Sequence, residues 1–120
     1  MSRILVDDDE PDQRFLLRKI FERAGHEVSD AGNGAAALRA VRESAPDLVV
    51  TDVMMPVMDG AELIRCLRDD PATAHIPVLA ASGDTHRAGA ADAVVPKPYE
   101  WRHLLAVADA LLKEEGRARS

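Results

Sequence analysis

Five short apolar runs, separated by stretches of helical period, constrain this chain more than any other feature. ILV at 4–6, DLVV at 47–50, PVLAA at 77–81 and AVV at 93–95 are candidate strands, joined by a weaker EVSD at 27–30. They are continuous rather than alternating, which is the pattern of parallel strands covered by helices on both faces. Between them, Phe15, Leu16, Ile20 and Phe21 recur at helical spacing behind Pro11, with Gly25 where a helix C-cap falls. Ala36, Leu38, Ala40 and Val41 mark a second helix over about 34–43, and Leu63, Ile64 and Leu67 a third that begins near Asp59 and stops before Pro71. Leu104, Leu105, Ala108, Leu111 and Leu112 predict a last helix over about 99–113. Strand and helix therefore alternate throughout. This predicts an α/β fold, a doubly wound five-stranded parallel sheet of flavodoxin-like order 2-1-3-4-5, whose ligand site lies outside the C-terminal ends of strands 1 and 3.

Length and charge narrow the function classes. The 120 residues correspond to one domain, expected over 1–114, with 115–120 as a frayed tail. A net charge of -6 repels phosphate backbones and anionic lipid, so neither nucleic acid nor membrane is an expected partner. No apolar run approaches the about 20 residues of a membrane span, and MSRILVDDD has acid where a signal peptide needs an apolar stretch, so a cytoplasmic location is expected. The single cysteine, Cys66, has no disulfide partner and no zinc-ligand neighbours, and the four histidines show no ligand spacing.

Under the expected strand order, the polar residues that close the strands converge on one edge of the sheet. They are Asp8 and Asp9 after strand 1, Asp52 after strand 3, Ser82 after strand 4 and Lys97 after strand 5. Carboxylates roughly 4 Å apart repel by about 4 kcal/mol per pair at an effective dielectric near 20, so such a cluster calls for a cation. A small all-oxygen set beside an open position suits Mg²⁺. With a hydroxyl at Ser82 and a positive charge at Lys97, the set forms a site for a phosphoryl group next to a metal. Each part has a plainer reading: the acids before Pro11 could cap a helix, and Ser82-Gly83 and Lys97-Pro98 are ordinary turn chemistry. The order of acid pair, acid, hydroxyl and lysine at four successive strand ends favours the site.

The segments ILVDDDEPDQR, TDVMMPVMDG, PVLAASG and VVPKPY resemble the successive motifs of the receiver domain of two-component response regulators, over residues 3–113. The resemblance implies that Asp52 accepts a phosphoryl group from a sensor histidine kinase or a histidine phosphotransfer protein. It implies Mg²⁺ held by Asp9 directly, by Asp8 mainly through water, by Asp52 and by the backbone carbonyl of Met54, with Ser82 and Lys97 on the phosphoryl oxygens. A stand-alone receiver of this kind, monomer or weak homodimer, signals by docking to a downstream protein or by phosphorelay. It is not an enzyme in the ordinary sense, catalysing only its own phosphorylation and dephosphorylation.

Three departures stand out. Asp7 occupies an apolar position of the family's first strand, where a carboxylate is costly; it either leans into the acid cluster or has a raised pKa. Val94 replaces a frequent aromatic switch. Residues 83–91 leave nine positions for a crossover that with its helix needs at least about 10–12, so the family's fourth helix is expected to be shortened or absent, and the segment to be mobile without phosphate. Two other classes compete: a phosphorylation-independent interaction module, favoured by the short crossover and Val94, and a haloacid-dehalogenase-type aspartyl phosphatase, suggested by Asp7-x-Asp9.

Overall fold

The apolar runs form the strands β1 (Arg3–Asp7), β2 (Glu27–Ala31), β3 (Leu48–Asp52), β4 (Val78–Ser82) and β5 (Ala93–Pro96) in a computed structural model that describes residues 2–52, 60–82, 91–97 and 100–119. All pair in parallel, in the order β2-β1-β3-β4-β5. The four helices among the described residues are α1 (Pro11–Arg23), α2 (Gly34–Glu43), α3 (Gly60–Asp69) and α4 (Trp101–Arg119). The expected fold class is the observed one. The crossover expected to be short, residues 83–91, lies outside the described residues except for Ala91.

Helix boundaries follow local chemistry. Pro11 opens α1, where a missing N–H costs nothing, and Gly25 behind it takes φ +94, a left-handed conformation that side chains with a Cβ resist. Asn33 caps α2 by accepting the Ala36 N–H at 2.8 Å. Glu100 does the same for α4, its Oε2 accepting from His103 N at 3.0 Å. That last helix corrects the expected end near 113: it runs on to Arg119. The sequence KEEGRAR is charged but rich in good helix formers, so it carries the helix beyond its apolar stripe.

Parity along the strands splits the core into two layers. Ile4, Val6, Leu48, Val50, Leu79 and Val95 face α1 and α4, meeting Leu17, Phe21, Leu104, Ala108 and Leu111. Leu5, Val49 and Val78 face α2 and α3, meeting Ala37, Leu38, Val41, Leu63, Ile64 and Leu67. Val94 packs with Ala91 on Ala80, a small-residue patch. Phe21 is among the largest fully buried side chains, so Phe21→Ala is expected to cost about 3–5 kcal/mol, through lost transfer energy and the cavity left behind. Urea unfolding checks this, and a loss below about 1 kcal/mol would place Phe21 outside the core.

One polar latch sets the register of the far side of the sheet. Arg68, at the end of α3, donates from Nη1 to the carbonyls of Ala74 (2.9 Å) and Ile76 (2.8 Å) and from Nη2 to Asp92 Oδ2 at 2.5 Å. The same Asp92 oxygen accepts the Val78 N–H at 2.7 Å. The starts of β4 and β5 are thereby tied together, which places their far ends, Ser82 and Pro96, side by side.

Candidate functional site

β1 connects onward to β2 on one side of the sheet and β3 to β4 on the other, so the chain diverges from the two adjacent strand ends and opens a crevice above β1 and β3. Asp8 and Asp9 leave β1 at that point and Asp52 is the last residue of β3. One carboxylate oxygen from each of Asp8, Asp9 and Asp52 lies within 4.8 Å of the others, with Asp8 and Asp52 buried and Asp9 exposed. Lys97, immediately after β5, reaches across β4 to place Nζ 3.2 Å from Asp52 Oδ2 and 3.7 Å from Asp8 Oδ2. The structure thus brings together four of the six residues expected at the site. Met54 lies outside the described residues, as does the side chain of Ser82, whose backbone closes β4 opposite Pro96.

Asp8 divides its two oxygens between roles. Oδ1 accepts the Glu10 N–H at 2.9 Å, holding the entry to α1, so the capping reading of this acid holds for one oxygen. Oδ2 is buried without a hydrogen-bond partner among the described residues, and Lys97 at 3.7 Å is an ion-pair contact. Burial pushes the Asp8 carboxyl above its ordinary pKa and the Asp52 and Asp9 charges add to this, while the Glu10 N–H and Lys97 pull it back. This oxygen set fits a hard divalent cation. The donors are carboxylates from two strand ends, one with an oxygen that finds no hydrogen-bond partner among the described residues, and the single charge of Lys97 offsets only part of theirs.

Asp7 does not lean into this cluster. It is fully buried, its Oδ2 lies 3.3 Å from Thr51 Oγ1, and its Oδ1 has no hydrogen-bond partner among the described residues. Burial raises its pKa to about 7, with the Asp8 and Asp52 charges adding and the Thr51 hydroxyl and Arg14 opposing. The other of the two expectations for Asp7, a raised pKa, is the one met. The phosphatase pairing of Asp7 with Asp9 is not what the geometry assembles, since Asp8, Asp9 and Asp52 converge instead.

Sequence reasoning missed two supporting residues. Arg14 donates from Nη1 to the Asp8 carbonyl at 2.8 Å and pairs through Nε with Asp30 at 3.3 Å, pinning the turn that carries the acid pair. Its position one turn into α1 was the available signal. Thr51 was overlooked beside Asp52, although it and Asp7 are the polar residues inside two central apolar strands, each one step before a site acid.

The model of the response regulator receiver domain matches residues 4–109. The transcriptional regulatory protein PrrA of Mycobacterium tuberculosis is 38% identical over 119 residues, covering 95% of this chain and 51% of that protein. The chain thus spans about half the length of the PrrA proteins it matches. The polar-differentiation response regulator DivK of Brucella anthropi is 36% identical over 104 residues, covering 81% of this chain and 84% of DivK. Among solved structures, the receiver domain of a signal transduction histidine kinase from Syntrophus aciditrophicus superposes with a TM-score of 0.88 at 32% identity, covering 95% of this chain and 92% of that one. With the sheet order and the acid cluster at the β1–β3 crevice, these matches establish that the chain belongs to the response regulator receiver domain family.

Proposed function

We propose that Asp52 accepts a phosphoryl group from a phosphohistidine on a sensor kinase or phosphotransfer protein, and that the domain, over 1–114, then signals by docking or by onward transfer. The observation that carries this is Lys97 Nζ 3.2 Å from Asp52 Oδ2, at the mouth of the Asp8, Asp9 and Asp52 cluster. An Asp52 oxygen attacks phosphorus, the phosphorus–nitrogen bond of the donor breaks, and the electron pair leaves with the imidazole, which takes up a proton. In this reading Lys97 pairs with a phosphoryl oxygen once Asp52 is phosphorylated, and Ser82, the last residue of β4, supplies a hydroxyl to another. Asp8, Asp9 and Asp52, with the Met54 carbonyl, would hold Mg²⁺, which supplies charge neutralisation to the phosphoryl oxygens. The chain turns over no external substrate in this reading. Its setting is the cytoplasm, as monomer or weak homodimer, with neither nucleic acid nor membrane as partner. No helix among the described residues is long and apolar enough to cross a membrane.

Incubation with Mg²⁺ and acetyl phosphate, followed by intact mass, tests the reading. One added phosphoryl group is expected, and no adduct under any Mg²⁺ concentration would overturn it. The cation itself is expected to raise the melting temperature, because a ligand bound only by the native state stabilises it by RT ln(1 + [L]/Kd), about 2.7 kcal/mol at a hundredfold excess over Kd. Asp9→Ala is expected to lose that shift. An Mg²⁺ titration in which Asp9→Ala matches the wild type would show that the ligand set is wrong.

A further inference from the structure

β1 buries the polar side chain of Asp7 and β3 that of Thr51, one residue before Asp52, and the strand register sets Asp7 and Thr51 opposite one another. Thr51 Oγ1 lies 3.3 Å from Asp7 Oδ2 and 3.1 Å from the main-chain carbonyl oxygen of Asp52. A hydroxyl has one hydrogen to give and lone pairs to accept with, so it can join two oxygens in series. Thr51 Oγ1 thus sits between a side chain of β1 and the main chain of β3, within hydrogen-bond reach of both. Asp7 gains little else from its place. Its second oxygen is buried without a hydrogen-bond partner among the described residues, which costs about 1–3 kcal/mol, and an apolar residue continuing ILV would avoid that cost.

What the arrangement touches is the end of β3. Asp52 is still paired with Ala81 of β4, but pairing with β1 stops one residue earlier, at Asp7 and Thr51. On the β1 side the chain leaves the ladder just as it presents Asp52. A side chain's direction follows the backbone dihedrals on either side of its Cα. A bond to the Asp52 carbonyl therefore restrains the direction in which the Asp52 carboxylate leaves the strand.

We propose that Asp7 and Thr51 are positioning residues that tether the Asp52 main chain from β1 and aim its carboxylate at Lys97 and the acid pair. The inference rests on Asp52 being the phosphoryl acceptor. Misplacing a reacting group by about 1 Å can cost on the order of 10²-fold in rate, so a partial loss of aim is expected to cost roughly tenfold.

The test compares labelling by acetyl phosphate and Mg²⁺ in the wild type, Asp7→Val, Asp7→Asn, Thr51→Val and the Asp7→Val/Thr51→Val pair, with melting temperatures measured alongside. Asp7→Val is expected to label roughly tenfold more slowly while melting no lower than the wild type. Asp7→Asn, whose amide keeps a polar partner for Thr51, is expected to keep most of the rate. The double variant should be no slower than Asp7→Val, because the tether is cut only once. If Asp7→Val does not fold, Thr51→Val carries the same comparison from the other end. Wild-type labelling rates in the folded single variants, effects that multiply in the double variant, or an Asp7→Asn as slow as Asp7→Val would each overturn the tether. A wild-type chain that takes up no phosphoryl group would instead overturn the acceptor reading, and the tether with it.

Discussion

Asp52→Asn is expected to take up no phosphoryl group from acetyl phosphate and Mg²⁺ under conditions in which the wild-type chain gains one. The substitution keeps the shape of the side chain and an oxygen that can accept from Lys97, so the fold should be undisturbed. It removes the charge and the nucleophile, because a neutral carboxamide oxygen does not form the acyl phosphate that a carboxylate does. The neighbouring acids are poorly placed to substitute for it. Asp8 commits one oxygen to the Glu10 N–H, which holds the entry to α1. Asp9 is exposed, on the solvent side of the cluster. Intact mass settles the matter. A variant labelled as fully as the wild type would move the acceptor elsewhere.

The second large effect is a stability that declines as pH rises. Asp7 has its pKa raised from the ordinary 3.8 to about 7 in the folded chain, chiefly by burial. Below about pH 4 the carboxyl is neutral in both folded and unfolded chains and carries no ionisation penalty. Between about pH 4 and pH 7 the unfolded chain releases the proton while the folded chain retains it, so stability falls. Above about pH 7 both forms are ionised and the loss is constant. A displacement of this size corresponds to roughly 4 kcal/mol. Asp8 is shifted in the same direction and adds a smaller decline of the same sign. Asp7→Val removes the larger part, so in metal-free buffer its advantage over the wild type should be several kcal/mol greater at pH 8 than at pH 4, read from urea midpoints. An identical pH slope in the two proteins would mean that Asp7 ionises in the folded chain as readily as in water.

Much of this protein was legible in its linear pattern, for a local reason. Parallel strands covered on both faces must be apolar throughout, so β1, β3, β4 and β5 stood out as short apolar runs, and right-handed crossovers left few sheet orders to consider. Because functional groups in such sheets gather at the carboxyl ends of the strands, Asp8, Asp9, Asp52 and Lys97 were named by their place after those runs. What local pattern could not decide was which atoms of different elements meet. Asp7 had two readings until the β1–β3 register set it beside Thr51 and away from the converging acids. Asp8 was open to a capping role and a cluster role, and the three-dimensional structure divides its two oxygens between them. Arg14 on the Asp8 carbonyl and Arg68 on Asp92 join residues brought together only by packing α1 and α3 against the sheet. Strand and helix identity follow from the period of apolar side chains along one segment. Burial, charge and hydrogen-bond partnership at the site depend on register between segments distant in sequence, and only the assembled sheet sets that register.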